Sequence, residues 1–307
     1  MSAPHLQLAA HPAVAALAQR CRFPTAESLR CAVSGGADSM ALLALAIATG
    51  MRIEAHHVNH HLRPDADDDV AIIRRFADMH NAKVVEHHVE VAPGANLEAR
   101  ARAARYEVLP PDALTGHTAD DMAETMLINL MRGAGTAGLS SMQPERRPLL
   151  ALRRSDTQSL CLALGISVVF DEMNDDPRFQ RTRVRHELVP LLNDIAKRDV
   201  VPILVRQSEV MGDDDRLLDE LASTIDPTDA RIVRDAPLPL ARRALRRWLA
   251  NPYPPDVATI ERVLGVARGD ATACDIGAGR SVRRSQQRLS IVTTQGATPG
   301  SGAENVV

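Results

Sequence analysis

The chain has 307 residues, 45% apolar and 2% aromatic, and its 36 Lys and Arg against 39 Asp and Glu leave a formal charge of −3. That length exceeds a typical single domain, and that apolar fraction supports a buried core, which excludes a disordered or fibrous chain. The slight acidity does not by itself point to nucleic acid, but lysine occurs only at Lys83 and Lys197 and the arginines cluster, so the net charge hides strongly basic segments.

A helix is predicted over residues 12–19. Residues 29–50, LRCAVSGGADSMALLALAIATG, then read as an apolar strand over 29–33, a polar loop over 34–38 and a helix opening near Ser39. Met40, Leu43 and Ile47 recur at helical spacing, Asp38 or Ser39 offers an N-cap, and Gly50 offers a stop. A strand that turns straight into a helix leaves unpaired N–H groups and the positive end of the helix dipole, about half a charge, facing the loop. Gly35 and Gly36 let an anion approach that backbone, and Ser34 and Ser39 add hydroxyl donors. The Walker pattern is excluded because its lysine is missing. Asp38 suits a metal ion, or a group losing a proton, better than a bare phosphate. Ser34, Gly35, Gly36, Ala37, Asp38 and Ser39 are therefore candidate contacts for a nucleotide polyphosphate with its metal.

Residues 51–58 read as a second strand, 65–80 as a helix, 82–89 as a third strand, 96–109 as an arginine-rich helix and 113–115 as a short fourth strand. Strands alternating with helices predict an α/β fold with a doubly wound parallel sheet. In such sheets ligands lie at the carboxyl ends of the strands. The polar clusters SGGADS, HHVNHHLRP and GHTADDMAET each follow a strand, so all three are predicted to meet along one sheet edge.

The next predicted helix covers 117–131. His117, Asp120 or Asp121, and Glu124 share one face, while Ala119, Ala123, Met126 and Leu130 form an opposite, core-facing stripe. Acidic residues in a first turn ordinarily just complement the dipole, worth about 0.3–1 kcal/mol. A histidine with three carboxylates exceeds that need, which makes the group a candidate contact for a metal or a substrate amine. Residues 133–138, GAGTAG, read as a flexible connector or lid. A helix over 156–164 and a further strand over 166–170 lead into DEMNDDPRFQRTRVRHELVPLL, where Arg178, Arg181, Arg183, Arg185 and His186 gather. Arginine clusters are usually solvated faces, but the position of this one after a strand end favours an anionic partner beyond the nucleotide.

From about residue 199 the pattern turns helix-rich, beginning with a helix over 200–221. Residues 1–198 are assigned to a catalytic domain, 199–293 to a smaller, mainly helical C-terminal domain and 294–307 to a disordered tail. In the C-terminal part Arg242, Arg243, Arg246 and Arg247 face away from Leu240, Ala244, Leu245 and Trp248, and RSVRRSQQR falls in short strands. Aromatics are too few for a base-stacking platform. Cys21, Cys31, Cys161 and Cys274 are widely spaced with no C-x-x-C pair, so no zinc or iron–sulfur signature is present and reduced, mostly buried thiols are expected. With no basic leader ahead of a long apolar core and no run approaching a membrane span, a cytoplasmic protein without membrane contact is expected.

SGGADS resembles the SGGxDS loop of the PP-loop ATP pyrophosphatase superfamily, whose members cleave ATP between the α- and β-phosphates to adenylylate a substrate. Within it, the chain up to about residue 192 resembles the tRNA(Ile)-lysidine synthase family. The segments that carry this are SGGADSMALL, HHVNHHLRP, EARARAARYEVL, TGHTADDMAETMLINLMRGAGTAGLSSM, RRPLL and DEMNDDPRFQRTRVRHELVPLL, in that order. The resemblance implies a ligase that uses ATP, magnesium and L-lysine to convert the cytidine at the first anticodon position of tRNA(Ile), anticodon CAU, into lysidine. It implies that the cytosine C2 oxygen attacks the α-phosphorus, pyrophosphate leaves, and the lysine ε-amine displaces AMP.

Residue by residue, the resemblance puts pyrophosphate on Ser34, Gly35, Gly36 and Ser39, with His60 and Arg63 as further ATP contacts and Asp38 and Asp121 beside the metal. Asp120, Asp121 and Glu124 would hold metal, or orient lysine and accept its proton. Arg178, Arg181, Arg183, Arg185 and His186 would grip anticodon-loop phosphates. A homodimer is left open. Two departures stand out: Arg181-Thr182 replaces the family's common Arg-Asn, and the C-terminal part matches weakly and is short. A tRNA-thiolating relative generally needs paired cysteines, which are absent here. A GMP or NAD synthetase does not account for the arginine-rich helices, and a non-catalytic nucleotide-binding regulator has no need for the four carboxylates.

Overall fold

Residues 4–59, 66–90, 97–140, 142, 144–169 and 178–293 are described by a computed structural model. They belong to two compact units, Met1–Gly212 and Asp213–Val307. In the first, helices α1 (Pro4–Ala9) and α2 (Pro12–Ala18) precede strand β1 (Ser28–Ala32), which turns through the polar loop into α3 (Ala37–Ala48). Every residue of α3 from Ser39 to Ile47 is buried. A helix apolar on all sides belongs inside a core. Met40, Leu42, Leu43 and Leu45 accordingly pack among Leu29, Cys31, Val33, Ile73, Phe76, Leu149 and Leu160.

Strand β2 (Arg52–Asn59), helix α4 (Ala66–Met79), strand β3 (Lys83–His88), helix α5 (Leu97–Val108) and strand β4 (Leu114–Thr115) follow. The sheet order is β3-β2-β1-β4 and every pair is parallel, as the strand–helix alternation predicts. Ala32 at the end of β1 stands opposite His56 on one side and Thr115 on the other. Because the chain builds outward from β1 through β2 and β3 and then returns to the other side with β4, the switch point lies between β1 and β4. A crevice opens there beyond the strand ends.

The rest of this unit is helical: α6 (Ala119–Met131), the short α7 (Thr136–Leu139), α8 (Arg154–Ala163), α9 (Gln180–Arg183), a π-helical turn (Val184–Leu188), α10 (Val189–Ala196) and α11 (Val201–Ser223), which runs past the division between the units. Several sequence expectations are corrected. Residues 166–169 form no strand: the Val169 N–H donates to the Gly35 carbonyl at 3.0 Å, so the segment closes on the polar loop instead of extending the sheet. Phe170 lies outside the described residues. The GAGTAG connector or lid, residues 133–138, carries the start of α7 (Thr136–Leu139), and the Asn129 side chain donates to the Gly138 carbonyl at 2.7 Å. Helix α6 begins at Ala119, with His117 ahead of it, and its polar face is buried: Asp121 is 8% and Glu124 2% exposed, whereas Leu130, expected in the core stripe, is 56% exposed. Neighbouring arginines neutralise those carboxylates, which removes the usual reason for them to face water.

In the second unit α12 (Ala230–Asp235), α13 (Leu238–Leu249) and α14 (Val257–Arg268) accompany an antiparallel sheet of β5 (Ala273–Gly277), β6 (Arg280–Ser285) and β7 (Arg288–Thr293). Val233, Leu245, Leu249, Val263, Leu264, Val282 and Leu289 form its core. On α13, Ala241, Ala244, Leu245 and Leu249 are buried and Arg242, Arg246 and Arg247 exposed; Leu240 and Trp248 are half-buried. Arg243 reaches Asp215 at 2.6 Å and Asp219 at 2.7 Å. All four cysteines are free, with Cys31 and Cys161 buried. Among the described residues no helix is long and apolar enough to cross a membrane.

Candidate active site

The loop after β1 is closed by its own side chains. The Ser39 hydroxyl donates to the Gly36 carbonyl at 2.8 Å and accepts from the Ser34 N–H at 3.1 Å. Gly35 adopts φ +87°, and a Cβ there would meet the Val169 side chain at 2.6 Å, so both the turn and its packing require glycine. Gly36 is the N-cap of α3, whose first turn presents its free N–H groups and the positive end of its dipole beside the loop.

Across β1, the segment after β4 comes up against this turn. A Cβ on Gly116 would lie 2.6 Å from the Asp38 carbonyl oxygen, so the two backbones are in direct contact. His117 Nδ1 is 2.8 Å from the Thr115 hydroxyl, and Asp121 accepts from the Thr118 N–H at 2.8 Å and its hydroxyl at 2.9 Å. The SGGADS and GHTADD clusters are thus neighbours, as the strand-end argument predicts. His56 and Val58 from the third cluster line the same cavity, and His60 and Arg63 lie outside the described residues.

The carboxylates are bound up with arginines. Arg154 donates to Asp121 and Glu124, each at 2.9 Å, and its Nε lies 3.6 Å from Asp38. Arg181 reaches Glu124 at 2.8 Å and Asp121 at 2.9 Å, and Arg185 reaches Glu124 at 2.9 Å. Burial pushes the Asp38 carboxyl up to about 6 even though the Thr157 hydroxyl donates to it; the Asp121 charge adds to the rise. Burial also works on Asp121 in that direction, but Arg154 and Arg181 outweigh it and hold its carboxyl at about 2. The Arg154 guanidinium is desolvated, yet Asp121, Glu124 and Asp38 hold its pKa above the ordinary arginine range.

Asp120 does something different. It takes two bonds from Arg153, at 2.9 and 3.0 Å, and the Arg154 N–H at 2.8 Å, which fixes the start of α8 and thereby aims Arg154. Arg183 pairs with Glu187 on the exposed surface at 2.7 Å, and Arg178 and His186 are also exposed.

One cavity of about 800 Å³ collects these groups. Ser34, Gly36, Ala37, Asp38, Ser39, Asp121, Arg181 and Arg185 line it; Gly35, Asp120 and Glu124 are not among its lining residues. Its size is that of a small-molecule or cofactor site. Arg154 and Thr157, central to the geometry, were not singled out in the sequence. A signal was present: Arg153 and Arg154 open a helix, where the dipole disfavours cations, so they need acidic partners from elsewhere.

Residues 9–192 match the PP-loop domain family and residues 231–290 the TilS substrate binding domain. A tRNA(Ile)-lysidine synthase of Rhodococcus erythropolis is 38% identical over 78% of this chain and 80% of its own length. That of Nocardia farcinica is 38% identical over 74% and 76%, and that of Gloeobacter violaceus 37% identical over 74% and 78%. The phosphate loop, the carboxylate–arginine cluster, the two family matches and the extent of these likenesses place the chain in the tRNA(Ile)-lysidine synthase family.

Proposed function

We propose that the chain ligates L-lysine to C2 of the cytidine at the first anticodon position of tRNA(Ile), anticodon CAU, using ATP and passing through an adenylylated cytidine. The observation that carries this reading is a single cavity lined both by a phosphate loop and by the carboxylate Asp121, which shares Arg154 and Arg181 with the buried Glu124. A polyphosphate and an ammonium can meet there.

In this reading the β- and γ-phosphates rest on Ser34, Gly35, Gly36, Ala37 and Ser39, where the start of α3 supplies N–H donors and partial positive charge. His60 and Arg63 complete the nucleotide contacts. The donor set fits magnesium: Asp38 and Asp121 are hard oxygen donors lining the cavity beside the loop, and Asp38 stands 3.6 Å from Arg154, beyond hydrogen-bond reach. Those two residues would hold the ion, which when bound neutralises charge on the departing pyrophosphate.

The cytosine C2 oxygen attacks the α-phosphorus and the bond to pyrophosphate breaks. Arg154 and Arg181 line the cavity where that negative charge develops. The neutral lysine ε-amine then attacks C2, the C2–O bond to AMP breaks, and the amine proton leaves with the AMP phosphate, while Asp121 and Glu124 orient the amine. Asp120 acts as a positioning residue through Arg153 and the main chain of Arg154. Arg178, Arg183 and His186 take anticodon-loop phosphates, while Arg181 and Arg185 meet the RNA where its target base enters the cavity. Sulfur transfer fits poorly: the Cys161 thiol at the cavity wall is pushed up to about 11 by burial and has no cysteine partner. The test separates the two half-reactions. Pyrophosphate release should require the tRNA, and AMP release should require lysine in addition; AMP formed equally without lysine would contradict the second step.

A further inference from the structure

The carboxylate cluster that would receive the substrate ammonium is already neutralised. Asp38, Asp121 and Glu124 supply three negative charges, and Arg154, Arg181 and Arg185 supply three positive ones. Glu124 is 2% exposed and Asp121 8%, so an added ammonium would be a fourth cation in a group that water barely screens. One guanidinium has to leave first.

Arg154 is the one placed to leave. Its main chain is fixed independently of its guanidinium: its N–H donates to Asp120 at 2.8 Å, and Asp120 is itself held by Arg153 at 2.9 and 3.0 Å. The guanidinium spans from Glu124 and Asp121 towards Asp38, in the first turn after the phosphate loop. If it swings to that loop, Arg181 and Arg185 stay on Glu124 at 2.8 and 2.9 Å. The Asp121 and Glu124 oxygens that it held at 2.9 Å are then open to an ammonium, while Asp38 stays with the ion that accompanies the polyphosphate. A polyphosphate seated on Ser34 to Ser39 is the group that draws a guanidinium this way, through charge-assisted hydrogen bonds.

We propose that Arg154 occupies the ammonium position of the amino-acid substrate until a nucleotide polyphosphate draws its guanidinium away, so that lysine binds after ATP. The inference rests on reading Asp121 and Glu124 as the partners of the lysine ammonium. The coupling is reciprocal: lysine tightens nucleotide binding by the factor by which nucleotide tightens lysine.

Equilibrium dialysis of radiolabelled lysine against the full chain tests it, without tRNA, in the absence and presence of magnesium and α,β-methylene ATP. Lysine should bind the nucleotide-loaded protein tighter by roughly 5- to 150-fold, the usual span of such couplings. Arg154→Gln should bind lysine without nucleotide about as tightly as the wild type binds it with nucleotide. A variant weakened equally in both states would show Arg154 to be merely structural and overturn the proposal. Equal wild-type affinity with and without the analogue would overturn the ordering and leave the lysine reading standing. Bound analogue with no lysine uptake in either state would overturn both.

Discussion

Gly116 and Asp38 meet backbone to backbone: a Cβ on the glycine would lie 2.6 Å from the aspartate carbonyl oxygen. This contact joins the end of β4 to the first turn of α3 and sets the carboxylate helix beside the phosphate loop. Gly116→Ala should push the two apart, costing about 1–3 kcal/mol of stability as an overpacked site does. Activity should fall further than stability, because a displacement of about 1 Å in an active site can cost ~10²-fold. Urea unfolding and tRNA-dependent pyrophosphate release measure the two effects; no change in either would contradict the contact's role.

Asp38 is paired more weakly than its neighbours, and burial disfavours its charge. Asp38→Ala should therefore keep the fold while pyrophosphate release drops by ~10²-fold or more, as it does when one group that stabilises transition-state charge is lost. Circular dichroism with a pyrophosphate assay distinguishes this from unfolding, and retained turnover would remove Asp38 from the proposed metal site.

Glu124 shows the opposite balance. At 2% exposure it is shared by Arg154, Arg181 and Arg185, whose side chains are 19%, 30% and 25% exposed. Glu124→Gln leaves those cations short of one charge and should cost about 3 kcal/mol, the low end for breaking a buried pair because the arginines retain some solvent. A urea midpoint unchanged at neutral pH would show the cluster to be solvent-screened.

His57 links the sheet to acid stability. It is 5% exposed with Nδ1 2.9 Å from the Val33 carbonyl, and burial lowers its pKa below the usual 6.5, the Val33 bond offsetting part of this. His56 is lowered too, by burial and by the neighbouring His87. Between those lowered values and 6.5 the unfolded chain binds more protons than the folded one. Their contribution is thus fully present above 6.5 and is lost as pH falls below it towards the folded values. Unfolding midpoints at about pH 7.5 and 5.5 should differ, and His57→Asn, which keeps a donor near Val33, should shrink the difference. An equal difference in both proteins would assign the pH effect elsewhere.

The parallel sheet and the phosphate loop were legible because they rest on local signals: strand-length apolar runs, a Ser-Gly-Gly turn, and a helix pattern starting at once. The carboxylates of α6 were legible as residue types but not as a buried group, since what buries them is the arginines of α8 and α9, distant in sequence. Arg154 was missed for that reason: its partners Asp121 and Glu124 are 33 and 30 residues away. Residues 166–169 read as a strand by composition, but strand formation depends on a free neighbour, and Val169 bonds to the loop at Gly35 instead. In Arg181, Arg183 and Arg185 the sequence showed one basic cluster. The helical and π-helical backbone sends Arg181 and Arg185 to the carboxylates and leaves Arg183 on the surface.

The most direct test of the account is transfer of radiolabelled lysine to a tRNA(Ile) transcript with a CAU anticodon, in the presence of ATP and magnesium, with a methionine tRNA of the same anticodon alongside. Label is expected in the first tRNA only, in step with release of pyrophosphate and AMP. Pyrophosphate release with label in neither tRNA would contradict lysine as the nucleophile while leaving the adenylylating loop in place.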